Sequence, residues 1–241
     1  MTPEKNNTGT FYEHFRRDKP TKIGDWIAKA FCRKIFGCAK LCPSEIVLEI
    51  GPGRGVFADI CLRKNVEYFA IEPNPQMAES LQRRGASVIC AIVPPLPQLE
   101  KQFDAVVMVN VLEHMNSLHD ALQVTRQVKE ILRPKGRLVI CSPDYLNLRH
   151  NFFNCDFSHN YVTTQRRLKQ LLFSAGFEPV TSRFLSGPVG GFAAFVLSAL
   201  ISRAPFGVLS AMFPENKLFQ KLYKLQLTFS RKVFIIAEKA H

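Results

Sequence analysis

The chain has 241 residues, 46% of them apolar and 22% charged, and carries a net charge of +12 from 32 basic and 20 acidic side chains. This composition excludes a disordered or fibrous protein and suits one α/β domain with an appendage. The basic balance favours anionic partners, but no run of Lys and Arg exceeds two and no basic segment is interleaved with aromatics, which counts against a dedicated nucleic-acid surface.

The first 20 residues open polar, and 11-FYEHFRR-17 is expected to form a short helix. The first apolar stretch, Trp26 to Phe36, is broken by Lys29, Arg33 and Lys34. It lacks the form of a secretory signal, so the expectation is a cytoplasmic chain. Ile23, Trp26, Ile27, Ala30, Phe31 and Ile35 recur at helical spacing, with Lys22, Lys29 and Arg33 opposite and Gly37 as a stop. The seven cysteines are odd in number and match no disulfide or zinc spacing, so free thiols are expected.

From residue 46 the pattern alternates. Strand-like runs at 46–50, 67–71, 87–92, 104–109 and 137–141 are separated by helical segments, which argues for a mostly parallel, doubly wound sheet. A helix over 118–132 presents Leu118, Ala121, Leu122, Thr125, Val128 and Leu132 on one face and stops at 133-RPKG-136. Another starts at Thr163 or Thr164, buries Leu168, Leu171 and Leu172, and ends at Gly176. Residues 177–184 and 232–238 read as two final strands.

The run 46-IVLEIGPGRGVFADI-60 carries the first chemistry. Gly51, Gly53 and Gly55 remove Cβ atoms where a ligand approaches the main chain, and the following helix aims free N–H groups at the same space. Glu49 ends the preceding strand. Glu72 closes the next one, in 68-YFAIEPN-74, where a carboxylate can accept both hydroxyls of a ribose.

Taken in order, VLEIGPGRG, the acid of AIEPN, 103-FDAVVMVNVLEHM-115, 132-LRPKGRLVICSPD-144 and 176-GFEPV-180 resemble the successive motifs of the class I S-adenosylmethionine-dependent methyltransferases, from about residue 46 to 180. The resemblance implies a Rossmann-like fold with seven strands, the last reversed and paired beside 177–184. It divides the chain into an N-terminal helical segment, 1–45, and a methyltransferase domain, 46–241. It assigns Glu49, Gly51, Gly53 and Gly55 to the amino-acid part of S-adenosylmethionine, Glu72 to the ribose and Asn110 to the pocket floor. At 90-CAIVPPLP-97 the acid that many relatives use for adenine is missing, which leaves backbone near Ile92 and Val93 for that contact.

Methyl transfer to an alcohol or phenol needs a base, and the candidates are His114 and His159. His114 has a structural alternative in orienting its loop. His159 has one in holding Thr163 or a backbone carbonyl. Asn110, Glu113, His114 and His159 also resemble a metal-binding variant of the family, but Asn at the first position removes an anionic ligand, so no metal is expected. The expected reaction is O-methylation of a small, apolar or lipid-linked acceptor, with an RNA methyltransferase or a membrane-associated cofactor-binding scaffold without turnover as alternatives.

The span 184-FLSGPVGGFAAFVLSALIS-202 has no charge in 19 residues, within a long insertion, 185–231, between the last two strands. Gly187, Pro188, Gly190 and Gly191 break it, leaving ten densely apolar residues, too few to cross a bilayer. The expectation is a helical lid beside the active site. It either lies on an anionic inner leaflet, with Arg203, Lys217, Lys221 and Lys224 near the headgroups, or packs on its own domain or on a second subunit.

Overall fold

The computed structural model describes residues 21–188 and 192–240, and the side chains of 192–195 are outside the description. The helix expected at 11–17 and the glycines at 190 and 191 lie outside the described residues. After the first helix, α1 (Lys22–Ala39), the chain alternates β1 (Ile46–Ile50), α2 (Val56–Arg63), β2 (Glu67–Ile71), α3 (Pro75–Gln82), β3 (Ser87–Ile89) and β4 (Phe103–Val109). A single 3-10 turn, Leu112–His114, precedes α4 (Leu118–Ile131) and β5 (Leu132–Pro143). Two short helices, α5 (Tyr145–Leu148) and α6 (Asn151–Asn154), lead to α7 (Gln165–Ser174) and β6 (Phe177–Leu185). Then come α8 (Phe192–Arg203), α9 (Phe206–Met212), α10 (Lys217–Phe229) and β7 (Lys232–Lys239).

The seven strands form one sheet in the order β3-β2-β1-β4-β5-β7-β6. All neighbours are parallel except β7, which runs antiparallel to both β5 and β6. This is the expected doubly wound sheet with a reversed last strand.

Alternate residues of the central strands feed two cores. Leu48, Ile50, Met108, Leu138 and Ile140 pack under Val124 and Val128 of α4 and Leu168 and Leu172 of α7. Val47, Val107, Val139 and Phe234 face Ile35 of α1, Phe57 of α2 and Leu81 of α3. Side-chain caps fix where the helices begin: Asn74 for α3, with Pro75 in the first turn, Ser117 for α4 and Thr164 for α7.

Four local expectations are corrected. The apolar stripe of α1 is buried only toward its end, since Ile35 is inaccessible whereas Ile23 and Trp26 are 73% and 56% exposed. In α4 the inner face is Ala121, Val124, Thr125 and Val128, and Leu118 is exposed, because the Ser117 cap sets the first turn at the rim. The third strand ends at Ile89 rather than 92. β5 begins at Leu132, pairing with Phe103, and residues 133–136 bulge out, with Lys135 at φ 62°, before Arg137 pairs with Ala105.

The insertion folds as three helices held by one polar side chain. Gln226, 5% exposed, accepts the Gly207 N–H at 3.0 Å and donates to the carbonyls of Ser202 and Ala204 at 3.2 and 2.7 Å. Tyr223 Oη accepts from Asn154 Nδ2 at 3.1 Å, and Arg231 pairs with the buried Asp144, so these helices are moored to the segment that follows β5. No helix among the described residues is long and apolar enough to cross a membrane.

Candidate active site

The sheet reverses its winding between β1 and β4, and ligands in such sheets lie beyond the carboxyl ends of the strands at that point. Ile50 is in register with Met108, so the glycine bend and the segment starting at Asn110 leave the same edge side by side. They touch: a Cβ on Gly51 would stand 2.9 Å from the Val111 side chain.

The three glycines do different work, although all have positive φ. Gly55 is forced by packing, because a Cβ there would lie 2.3 Å from Leu81 and 2.5 Å from Arg84. Gly53 has nothing within 4 Å of such an atom. Of the three, it alone faces open space, as a residue under a ligand would.

Glu72, 3% exposed, receives the Gly53 N–H at 2.8 Å and the Asn74 N–H at 2.9 Å, one on each oxygen. Burial raises its pKa, and these two donors oppose the rise. Glu72 thus fastens the glycine bend to the end of β2, and any hydroxyl it binds shares its oxygens with the backbone. Glu49, 3% exposed, lies on the face of β1 that Val47 shares, toward α1 to α3, and accepts the Tyr68 hydroxyl at 2.5 Å. Burial pushes its carboxyl up to about 8, against the pull of that hydrogen bond, and repulsion from Glu72 adds to the rise.

Asn110 is exposed in the left-handed region, φ 53°, where it donates its N–H to the Cys141 carbonyl at 2.8 Å. Its Oδ1 accepts from Lys232 Nζ at 3.1 Å. Two residues beyond Val111, Glu113 is fully buried, and neither oxygen has a hydrogen-bond partner. Burial pushes its pKa up to about 7, with Lys232 pulling it down.

The two histidines meet with ring centroids 5.0 Å apart. His159 Nδ1 lies 2.6 Å from the Phe152 carbonyl, which can only accept, so Nδ1 carries the proton and Nε2 the lone pair. His114 Nδ1 lies 2.7 Å from Ser158 Oγ, whose own proton goes to Asp156 Oδ1 at 2.6 Å. The serine therefore accepts from His114, and again Nε2 is left with the lone pair. Burial lowers both pKa values, and mutual repulsion lowers that of His114 further, so both rings are neutral near pH 7. One ligand atom from each of Glu113, His114 and His159 falls within 4.8 Å of the other two.

The structure thus gathers Gly51, Gly53, Gly55 and Glu72 around one bend and brings His114 and His159 together, with the exposed Asn110 beginning the segment whose Val111 meets Gly51. Glu49 stands apart, turned inward. The alternative weighed for His159, a backbone carbonyl, is present, whereas Thr163 donates to the Pro143 carbonyl instead. Sequence reasoning missed Tyr68, Lys232 and the Ser158–Asp156 pair. Only the last carried a signal, since 156-DFSH-159 places both beside a candidate histidine.

A family model described as a methyltransferase domain matches residues 12–182. An uncharacterized protein of Methanocaldococcus jannaschii is 34% identical over 95 residues, 39% of this chain and 39% of that protein. The chain spans less than half the length of the curated relatives it matches. Among solved structures, a SAM-dependent methyltransferase from Archaeoglobus fulgidus superposes with a TM-score of 0.59 at 20% identity, covering 97% of this chain and all of that one. The 1,6-didemethyltoxoflavin-N1-methyltransferase of Burkholderia thailandensis, solved with its substrate and S-adenosylhomocysteine, gives 0.59 at 18% identity over 96% of this chain and 85% of the other. Both likenesses show the fold.

Proposed function

We propose that this chain, which belongs to the class I S-adenosylmethionine-dependent methyltransferases, methylates an oxygen on a small apolar or lipid-linked acceptor at an anionic membrane surface. The cofactor supplies a sulfonium methyl whose S–C bond breaks as the new bond to oxygen forms. The chain's residues do the rest. Gly53, open above the bend, receives the amino-acid part, with Gly51 and Gly55 shaping the turn and Glu49 at the strand end before it. Glu72 takes the ribose and Asn110 lines the floor. Glu113, His114 and His159 form the group that activates the acceptor hydroxyl, since both Nε2 lone pairs stand ready to take its proton.

The observation that carries the oxygen reading is the pair of adjoining imidazoles, His159 buried and His114 half-buried, each held in one tautomer with Nε2 unprotonated. A nitrogen acceptor with its own lone pair needs no such base. The apolar and membrane part rests on the insertion. Val196, Leu197, Leu200, Val208, Met212, Phe213 and Leu218 are between 40% and 68% exposed there, beside Arg203, Lys217, Lys221 and Lys224. The one acid between residues 185 and 231 is Glu215. Such a surface is both apolar and cationic, as an interfacial element is.

Methyl-labelled S-adenosylmethionine tests this against a lipid extract, a water-soluble metabolite fraction and RNA, each offered separately. Label is expected in the organic phase, lost with His159→Ala. Transfer confined to RNA would replace the reading with nucleic-acid methylation, and cofactor binding without transfer to any fraction would replace it with a scaffold.

A further inference from the structure

The cations of this chain are not spread evenly. Residues 22–40 carry five Lys and Arg against one acid, Asp25, and residues 185–231 carry five against Glu215, so these two segments hold +8 of the net +12. The segments also meet. Ile35 of α1 and Leu185, where the insertion begins, are buried in one core, and Lys34 Nζ donates to the Ser186 carbonyl at 3.3 Å. From Lys34 back to Lys22 the helix extends about 18 Å. This outer part is the less buried one, with Ile23 and Trp26 at 73% and 56% exposure. At roughly 100° per residue, Lys22, Trp26, Lys29 and Arg33 fall within about 60° of one another. The indole therefore stands at the seam between a cationic stripe and the apolar side that holds Ile23 and Ala30. The single acid of α1, Asp25, is engaged by Lys29 at 2.6 Å, whereas Lys22 and Arg33 are exposed.

We infer that the outer half of α1 is a second membrane-docking element, which lays Ile23 and Trp26 among the headgroups of an anionic leaflet and sets Lys22, Lys29 and Arg33 against lipid phosphates. The inference rests on the reading of the insertion as an interfacial element and extends that surface across Ser186 to the N-terminal segment. Charge decides the occupant. The centre of a protein–protein interface is depleted of charged side chains, but here ammonium and guanidinium groups border the indole. A lipid surface accommodates both, because Lys and Arg carry their charged heads to the phosphates while their stems lie along apolar surface. Tryptophan suits that boundary, with an apolar ring and a polar N–H. A nucleic acid would meet the cations and stack on Trp26 but leave the apolar Ile23 without a partner. Two such elements joined at one point also bind more tightly than either alone, since the first to dock holds the second at a high effective concentration.

Trp26 is the only tryptophan of the chain, so its fluorescence reports this helix alone. The 241-residue chain is mixed with vesicles of phosphatidylcholine and phosphatidylglycerol, or of phosphatidylcholine alone, and emission and flotation are followed together. On the anionic vesicles the emission is expected to move to shorter wavelength and to be quenched by lipids brominated near the headgroup end of the acyl chain, with neither effect on phosphatidylcholine alone. Lys22→Gln with Arg33→Gln is expected to weaken partition about thirtyfold, and Ile23→Ser about tenfold. Circular dichroism is expected to stay that of the parent, because all three side chains are exposed. Protein that floats while Trp26 emits as an indole in water overturns the α1 element and leaves the insertion docked alone. Protein that neither floats nor shifts overturns both readings. A shift produced by polyuridylate and not by vesicles assigns the face to nucleic acid, and emission already that of a buried indole before vesicles are added shows the face covered by protein; either result overturns the inference.

Discussion

Replacing Glu49 by glutamine removes a charge that the fold resists forming. The unfolded carboxyl ionises near 4.5 and the folded one near 8. Between these values the folded state holds a proton that the unfolded state has released, so stability falls as pH rises from 4.5 to 8 and is flat above. At about 1.4 kcal/mol for each unit between the two values, the loss approaches about 3 kcal/mol by pH 7 and about 5 kcal/mol above pH 8.

Glutamine has the shape of the protonated acid and still accepts from the Tyr68 hydroxyl, but its NH₂ needs a partner and costs about 1–2 kcal/mol. Urea unfolding at pH 5, 7 and 8.5 then gives a definite pattern. Glu49→Gln is slightly less stable than the parent at pH 5 and more stable at pH 8.5, the curves crossing between. Every other titrating group contributes alike to both proteins, so the difference isolates position 49. Parallel curves across the range would show that Glu49 titrates like an exposed carboxylate and that its burial against Tyr68 is misjudged.

Gly53→Ala is expected to cost the fold only about 1 kcal/mol, the penalty of a side chain in the left-handed region, yet to lose cofactor binding by calorimetry. Gly55→Ala should instead lower the melting temperature sharply, because its Cβ would collide with Leu81. Glu72→Ala should weaken S-adenosylhomocysteine more than tenfold, as loss of a hydrogen bond to a charged acceptor is worth about 1.5–3 kcal/mol; affinity within twofold of the parent would remove Glu72 from the ribose. His159→Ala should keep cofactor affinity and lose turnover by about a hundredfold, which a stopped assay with the identified acceptor reads directly. Lys217→Glu with Lys221→Glu should weaken flotation on anionic vesicles about thirtyfold, from about 1 kcal/mol per basic residue at the surface. A parent chain that never floats at low salt would leave the lid packed on protein alone.

The strands and the glycine bend were legible because their signals are local. A buried β-branched run such as 104-DAVVMV-109 admits few other structures, and a glycine triplet between such a run and a helix has one geometry. What was not legible depends on contacts between distant segments. Nothing in 67-EYFAI-71 announces that Tyr68 will reach Glu49 on the neighbouring strand, because that requires the register of β1 on β2, in which Glu49 faces Ala70. Lys232 meets Asn110 only because the reversed strand starts where β4 ends. The misjudged faces of α1 and α4 share one cause: periodicity marks which residues share a side of a helix, not how far along its axis the partner extends.

The insertion shows how a polar residue can be decisive where apolarity drew attention. Read as a string, 184–202 suggests a membrane and 217-KLFQKLYKLQLTF-229 an ordinary amphipathic helix. In the fold, Gln226 joins the ends of α8 and α9 through three backbone groups, and Gly207 leaves room for the Asn151 side chain, which a Cβ would approach to 2.6 Å. That hub draws the three helices together over α5 and α6, the segment whose Phe152 carbonyl orients His159. A movement of the insertion at a lipid surface would therefore bear on Asn151 and Tyr223 first and on the His159 tautomer through α6. Gln226→Leu, which removes the hub without shortening the chain, is expected to loosen the insertion in hydrogen exchange across 192–229 while β1 to β5 stay protected. Unchanged exchange over 192–229 would mean that apolar packing alone holds the lid, and that the path from lid to histidine does not run through this glutamine.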